Sequence, residues 1–280
     1  MSLVNRAMLV QLSVTKPKMT EKDKSTTSEV AVRKHASEAS VSVVKKLYPK
    51  HLLAPIVEVE SSARRYMESV TQPWGRGLAM LPIAMFMEPH NFSKRIGVFK
   101  MQFDQAVTVF LNNYSNVLTQ AAVDQGDMFD VDAYPDLSQL KAEFTFDVSY
   151  PSLSQEGGLV LDLEAEVLAE LEETIAKQQT ARMAAGQRDL YERLGAAVKR
   201  IAVQCSNDKG KIYDSLTGNL SDLLQVLPLL NLSGDEAFTS LCEEARQLVV
   251  APEAIRTVPQ VREDTAKVAN DILAKMKAFI

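Results

Sequence analysis

The chain has few cysteines and histidines and no long apolar run. Only two of its 280 residues are cysteines, Cys205 and Cys242, too few for a disulfide framework or a zinc site. The three histidines stand in unrelated contexts, away from any metal-ligand spacing. No segment approaches the roughly 18 apolar residues that a spanning helix needs. We therefore predict buried free cysteines and a soluble cytosolic protein without metal, cofactor or membrane partner.

Motifs that would name a reaction are also missing. Lys209-Gly-Lys211 lacks the glycine spacing and the hydroxyl residue of a phosphate-binding loop, and Gly75-Arg-Gly77 does not extend to a dinucleotide fingerprint. The aspartates between Asp127 and Asp136 lack the glycine and terminal glutamate of a calcium loop, so we expect turn and cap roles for them. No nucleophile and base can be paired, and we predict that the chain is not an enzyme.

The strongest positive signal is an apolar stripe along residues 94–123. Apolar residues recur there at steps of three and four, from Ile96 through Phe103 and Phe110 to Ala121. Thirty residues at about 1.5 Å each would form a rod of about 45 Å. The pattern predicts one long helix that acts as the central post of a helical core.

Weaker patterns predict the remaining elements. Alternation predicts strands over 7–14 and 143–150, which we expect to pair. Helical patterns cover residues 29–47, 52–70, 137–142, 159–205, 211–226, 235–249 and 259–280. Bends are expected at Gly186 and Gly195, a helix break at Pro228, and a capping box from Ser233 to Glu236.

Two stretches do not fit a regular helix. The polar, lysine-rich residues 15–28 predict a mobile loop. Residues 71–89 hold three prolines, two glycines and the only tryptophan, so we expect a tight turn that leaves Trp74 and Arg76 near a surface, followed by a short strand or helix over 78–87.

These elements predict a mainly α fold with a small antiparallel β element, an α+β long-helix bundle. We expect a basic N-terminal region over residues 1–156 and an acidic helical region over 157–280. The alternative is that the two regions form one continuous domain. Up to Gln105 the chain has 16 basic and 9 acidic residues, whereas the remainder has 15 and 27. This asymmetry indicates a basic surface for nucleic acid or, equally well, a chance difference between solvated faces.

Cations cluster beside aromatic residues in the basic half. Single-stranded nucleic acid needs this mixture, because cations follow the phosphates while aromatic rings stack on bases. Tyr66 and Phe99 fall on core stripes, whereas Tyr48 and Trp74 adjoin prolines where helices break, so we expect these two rings to be partly exposed. The candidate nucleic-acid-binding residues are Lys16, Lys18, Lys22, Lys24, Lys45, Lys46, Tyr48, Lys50, Arg64, Arg65, Trp74, Arg76, Lys94 and Arg95.

Four segments of the chain resemble a family of proteins from tailed bacterial viruses. The resemblance rests on LVQLSVTKPKMTEKDK (9–24), KKLYPKHLLAPIVEVESSARRYMESVTQPW (45–74), FDQAVTVFLNNYSNVLTQA (103–121) and MFDVDAYPDLSQLKAEFTFDVSYP (128–151). The family is similar to the single-stranded-DNA-binding cofactor of RNA polymerase in podoviruses that package a polymerase. The resemblance covers roughly residues 1–150, and it assigns no binding residue individually.

The resemblance implies a fold other than the OB-fold, single-stranded DNA as a partner, and recruitment of phage RNA polymerase to melted promoters in the host cytoplasm. The chain ends in Lys275-Met-Lys-Ala-Phe-Ile280, not in the acidic tail of bacterial single-strand binders. The alternative is a non-enzymatic adaptor for a phage ATPase or polymerase complex, with the basic half docked on an acidic partner. The sequence leaves the formation of a homo-oligomer open.

Overall fold

The structure is a computed structural model that describes residues 5–152, 165–207 and 210–279. Contacts between residues divide the chain into two units. The first unit contains residues 1–11, 67–91 and 150–280, and the second contains residues 12–66 and 92–149. The expected boundary between residues 156 and 157 lies outside the described residues. The first unit joins the C-terminal helices to two segments from the N-terminal part of the chain.

The described residues form six strands and ten α-helices, with short 3-10 turns between them. The strands are β1 (Ala7–Thr15), β2 (Thr20–Asp23), β3 (Val43–Lys46), β4 (Gln72–Gly75), β5 (Leu78–Pro82) and β6 (Thr145–Ser149). The helices are α1 (Lys24–Arg33), α2 (Lys50–Val70), α3 (Phe92–Asn112), α4 (Tyr114–Gln125), α5 (Leu137–Ala142), α6 (Ala165–Ser206), α7 (Ser215–Leu230), α8 (Glu236–Ala245), α9 (Pro252–Thr257) and α10 (Pro259–Met276). The mainly α fold with a small antiparallel sheet is confirmed.

The larger sheet has the strand order β4-β5-β1-β6. In the first unit, β1 pairs antiparallel with β5, and β5 pairs antiparallel with β4. Residues 75–77 connect β4 to β5 with φ angles of 98, 54 and 77°. Glycine adopts such angles without a steric cost, which explains Gly75 and Gly77. The tight turn expected here is confirmed, and the stretch that follows it is the strand β5 with a 3-10 turn at Ile83–Phe86.

Trp74 belongs to a small core in the first unit. Its ring is buried with Leu9, Met80 and Leu232, and Met183 packs against this cluster. Helix α6 contacts β4 and runs along α10 and α7. The core thus joins β1, the β4–β5 hairpin, α6 and the segment that follows α7, which are far apart in the sequence.

The second unit packs aromatic residues of α2, α3, α4 and β6 together. Phe103 of α3 lies 5.5 Å from Phe146 of β6 between ring centroids, and both rings are buried. The second half of β1 belongs to this unit, where Thr15 Oγ1 donates a hydrogen bond to the Glu143 carbonyl at 2.8 Å. Strands β1 and β6 are adjacent in the larger sheet, which confirms the pairing expected from the sequence.

The long helix expected over residues 94–123 is two helices, α3 and α4. They are separated at Asn113, whose amide donates to the Phe110 carbonyl and whose side-chain oxygen accepts a hydrogen bond from Asn116. Asparagine competes with the helix by such local hydrogen bonds, which explains the break. Most of the expected apolar stripe from Ile96 to Ala121 is buried all the same, although Phe99 and Ala106 are only half-buried.

The interpretation of residues 15–47 was wrong in two places. The segment expected to be a mobile loop contains β2 and the start of α1. Asp23 caps α1, since its carboxylate accepts a hydrogen bond from the Thr26 amide at 2.9 Å. The helix expected over 29–47 ends at Arg33 and is followed by β3, which pairs antiparallel with β2. Valines at positions 41, 43 and 44 favour a strand over a helix.

The C-terminal helices also differ in detail from the prediction. Helix α6 continues through Gly186 and Gly195 without interruption, and Pro228 lies inside α7. The N-cap of α8 is Asp235, not Ser233, and its carboxylate accepts from the Phe238 amide at 3.1 Å. The prediction missed α9, which begins at a proline as α10 does. The part of the expected helix before residue 165 lies outside the described residues.

The folded units change the expected distribution of charge. The second unit contains 15 basic and 14 acidic residues, and the first contains 16 and 22. The excess of positive charge in the N-terminal sequence is nearly cancelled in the second unit, because seven acidic residues between positions 124 and 147 belong to the same unit. A basic surface can therefore exist only locally.

Candidate nucleic-acid interface

One face of the β2–β3 hairpin carries exposed lysines. Thr20 pairs with Lys46 and Lys22 pairs with Val44, so these four side chains share the outer face of the pleated hairpin. All four are exposed. Lys50, at the start of α2, is exposed as well, and it lines the same cavity as Lys46.

This cavity has an apolar floor and a volume of about 350 Å³. Met19, Leu53 and Val57 form much of the floor, and Glu58 is the one acidic side chain among the described lining residues. Within the described chain, Lys22, Lys46 and Lys50 make no ion pair. We call Lys22, Lys46, Lys50 and this cavity the outer hairpin surface. It combines positive charge with apolar surface.

The opposite face of the hairpin is neutralised. Lys45 is buried, donates a hydrogen bond to the Met128 carbonyl at 3.3 Å and pairs with Glu21 at 3.6 Å. A second cavity beside the hairpin, of about 490 Å³, is lined by Lys22, Lys24 and Lys45 and by the acidic residues Glu21, Asp23, Asp127, Asp130 and Asp132. More acids than lysines line it, so it is unsuited to phosphate.

Two of the predicted cations, Lys16 and Arg64, form ion pairs inside the second unit. Lys16 and Arg64 both bind the carboxylate of Glu60, a residue of which only 8% is exposed. Burial would raise the pKa of Glu60, but the hydrogen bonds from Lys16 and Arg64 outweigh it and leave the pKa below its ordinary value. Lys16 and Arg64 therefore stabilise the unit and are poorly available to a strand.

The other predicted cations of the second unit are scattered. Lys18 pairs with Glu21 at 3.3 Å, and Arg65 donates to the Ser61 carbonyl at 3.3 Å. Arg95 lies over the ring of Tyr66, at 5.4 Å from its centroid. Lys94 and Lys24 are exposed, but Lys94 lines neither cavity of the hairpin and Lys24 lines the acidic one.

Tyr48 is buried, which corrects the expectation of an exposed ring. It makes edge contacts with Phe110 and Tyr134, with centroids at 5.8 and 5.7 Å, and only 4% of the residue is exposed. Burial is the main cause that raises the pKa of Tyr48. Pro49 follows Tyr48 without exposing its ring, because the ring fills the space between α3 and the segment before α5.

Trp74 is also buried, with 3% of its surface exposed, so the expectation of an accessible ring is wrong here too. The guanidinium of Arg182 lies 5.6 Å from the centroid of its ring. Arg76 is exposed on the hairpin turn. Both Trp74 and Arg76 belong to the first unit, whereas the other twelve predicted site residues belong to the second.

A groove of about 620 Å³ lies between α2 and α3 in the second unit. Leu52, Val59 and Ala106 line it, and Val109 is 64% exposed along its edge. Its only charged lining side chain among the described residues is Glu58. The groove is apolar and carries no positive charge, so it is unsuited to the phosphates of a strand.

Sequence reasoning missed the apolar part of the outer hairpin surface. Met19 lies in the stretch expected to be a mobile loop, and Leu53 and Val57 lie in the expected helix over 52–70 but were not singled out. Only the pairing of β2 with β3 brings Lys22 and Lys46 to the same face of the hairpin. The sequence analysis also did not single out Tyr213, a residue of the first unit that is 62% exposed. No sequence signal separates such an exposed tyrosine from the buried Tyr48.

The structure also places the aspartates and cysteines that the sequence analysis singled out. Asp130 and Asp136 cap short helical turns, and hydrogen bonds from Ser138 and the Gln139 amide lower the pKa of Asp136. Cys205 and Cys242 are buried and free as expected, and burial raises the pKa of Cys242 to about 12. In the described parts of the chain, no group of three or more potential ligands is placed to hold a metal ion.

Among the described residues, no helix combines the length and the apolar character that crossing a membrane requires. Comparison with known proteins adds no relative. No family model, no curated protein and no solved structure matches this chain.

Proposed function

We propose that the chain is a non-enzymatic protein that binds single-stranded DNA on the outer hairpin surface. One observation carries the proposal, namely that Lys46 and Lys50 line an apolar cavity, that Lys22 lies on the same face of the hairpin as Lys46, and that none of the three has an ion pair among the described residues. Cations there can follow phosphates while the floor of Met19, Leu53 and Val57 accepts the face of a base. This surface is smaller than the set of residues expected from the sequence.

The resemblance to the phage family supplies the setting of this proposal. In that setting the protein holds single strands in the host cytoplasm and acts as a cofactor for phage RNA polymerase at melted promoters. No residue of the outer hairpin surface distinguishes a transcription role from a replication role, so the proposal concerns strand binding itself.

The experiment is a titration of fluorescently labelled oligothymidylate with the whole protein, measured by anisotropy at several salt concentrations. We expect binding of the single strand and weaker binding of a duplex of equal length. The double variant Lys46→Glu and Lys50→Glu removes two cations, so the slope of log K against log salt should fall by about 0.7 for each phosphate that is no longer neutralised.

A matched control carries the same change of charge elsewhere in the second unit. Lys34 and Lys141 are exposed and lie outside the outer hairpin surface, so Lys34→Glu with Lys141→Glu should leave the slope nearly unchanged. Equal reductions of the slope in both double variants would mean that only net charge matters. Absence of binding by the wild type at low salt would instead favour the protein–protein adaptor, for which the α2–α3 groove offers an apolar surface in the second unit.

A further inference from the structure

A second polar cavity lies in the first unit, where α6 and α7 are connected. Its volume is about 210 Å³, and the end of α6, the connecting segment and the start of α7 all line it. Arg200 and Lys211 contribute positive charge, and Ser215 and Asn219 contribute neutral polar groups. None of its described lining residues is acidic. The cavity therefore has the chemistry of an anion site.

The two cations of this cavity are available to a ligand. Neither Arg200 nor Lys211 has a hydrogen bond or ion pair to any described residue. The neighbouring Arg256, in contrast, forms ion pairs with Asp214 and Glu253. Its pair with Asp214 neutralises the acidic side chain that precedes Ser215. Arg200 and Lys211 thus differ from this arginine in having no acidic partner among the described residues.

The segment that presents Lys211 and Tyr213 is fixed from behind. Arg262 donates hydrogen bonds to the carbonyls of Gln204 and Gly210, at 2.9 and 3.0 Å. Arg256 Nε donates to the Ile212 carbonyl at 2.8 Å, and the Ile212 side chain is buried. Two arginines therefore hold the backbone on both sides of Lys211, which reduces the ordering that a ligand must impose.

Tyr213 adds an accessible aromatic face. Its ring is 62% exposed, more than any other aromatic side chain in the described parts of the chain, and it lines the cavity. An exposed ring beside two cations is the combination that nucleotides use, with the base stacked and the phosphate paired. The buried rings of Tyr48 and Trp74 lack this accessibility.

We propose that this cavity binds a nucleotide, with its phosphate between Arg200 and Lys211 and its base on Tyr213. The volume of about 210 Å³ is below the roughly 300–1,000 Å³ of sites that enclose a whole ligand. The cavity therefore accepts the phosphate end, and the base lies outside it on the exposed ring. The site belongs to the first unit and does not depend on the outer hairpin surface.

Calorimetric titration of the whole protein tests the site with deoxyadenosine monophosphate at low salt. We expect binding of the nucleotide that is tighter than binding of inorganic phosphate or of adenosine, because neither alone reaches both the cations and the ring. The double variant Arg200→Gln and Lys211→Gln should weaken nucleotide binding at least about tenfold. Tyr213→Leu should weaken it at least about fivefold, as expected when one base has no ring to stack on, and leave phosphate binding unchanged.

Lys199→Gln is the matched control, since Lys199 is exposed on the same helix and does not line the cavity. It should bind like the wild type, and so should Lys46→Glu with Lys50→Glu.

Titration with hexadeoxyadenylate, with and without a 5′-phosphate, separates two sources of the same group. If the phosphorylated strand binds here more tightly than the mononucleotide, the site holds a strand end; the reverse order indicates a free nucleotide. Equal affinity of the wild type for nucleotide, phosphate and adenosine, or wild-type affinity in the cation and Tyr213 variants, would overturn the proposal.

Discussion

Glu60 forms ion pairs with two cations of the second unit. Lys16 and Arg64 both bind its carboxylate, which lies on the buried side of α2. Replacement by glutamine removes the charge on which both cations depend. We expect Glu60→Gln to lower the free energy of unfolding at pH 7 by about 1–3 kcal/mol, as for hydrogen bonds to charged groups. Chemical denaturation measures this, and Glu58→Gln, on the exposed side of the same helix, should change it little.

The contribution of Glu60 should depend on pH in one direction. Its pKa is below the ordinary value in the folded protein, so the folded state holds fewer protons than the unfolded state as pH falls. The stabilisation is therefore complete above the unfolded pKa of about 4.3 and disappears as pH falls through the lower folded pKa. The difference between wild type and Glu60→Gln should shrink in acid. A constant difference from pH 7 to pH 3 would contradict this assignment.

Trp74 gives a spectroscopic test of burial in the first unit. Because the ring is enclosed, acrylamide should quench its fluorescence far less than that of free tryptophan, and Trp74→Ala should cost about 3–5 kcal/mol of stability. A tryptophan placed by Tyr213→Trp in a Trp74→Phe background provides the exposed control and should be quenched strongly. Equal quenching of the two proteins would mean that Trp74 is not buried.

Among the elements, α3 depends most clearly on its buried aromatic residues. Phe103 is 1% exposed and packs on Phe146, so Phe103→Ala should destabilise the protein by about 3–5 kcal/mol. Met101 is on the same helix and 61% exposed, and Met101→Ala should change stability by no more than about 0.5 kcal/mol. Thermal or urea unfolding compares the two. An equal response would show that the stripe of α3 is not the buried face.

Helical glycines differ in the space around them. A Cβ at Gly97 in α3 or at Gly218 in α7 would meet nothing within 4 Å, so Gly97→Ala and Gly218→Ala should each stabilise by about 0.5–1 kcal/mol. At Gly186 in α6 a Cβ would lie 3.1 Å from Oε1 of Gln72 on β4, whose side chain is buried. Gly186→Leu should therefore destabilise the packing of α6 on β4. Urea unfolding measures all three, and a stabilised Gly186→Leu would contradict that close approach.

In the molecule as a whole, the first unit is assembled from three separate parts of the chain. Its core joins Leu9, Trp74 and Leu232, so a fragment of residues 1–152 lacks the helices that bury Trp74. We expect the fluorescence of this fragment to shift to longer wavelength relative to the full chain. Addition of a fragment of residues 165–280 should reverse the shift. Fluorescence of the first fragment that already equals that of the full chain would indicate independent N-terminal folding.

Local sequence patterns were enough to predict the helical class, the strands β1 and β6, the α2 helix and the buried stripe of α3 and α4. These features depend on periodicity, which is a property of neighbouring residues. The burial of Cys205 and Cys242 was predicted as well. The break at Asn113 and the β2–β3 hairpin escaped prediction, because each depends on a hydrogen bond or strand pair that competes with local helix propensity.

The availability of the candidate binding residues follows from the packing of distant segments. Lys45 and Lys46 are adjacent in sequence, yet pairing with β2 turns Lys45 toward Glu21 and Lys46 toward solvent. Tyr48 and Tyr213 each stand near cations in the sequence, yet one is in the core and the other is exposed. Exposure and charge pairing arise from contacts that no local pattern encodes. For that reason the sequence indicated only that cations cluster beside aromatic residues in its N-terminal half, whereas the fold leaves Lys22, Lys46 and Lys50 exposed as the candidate surface.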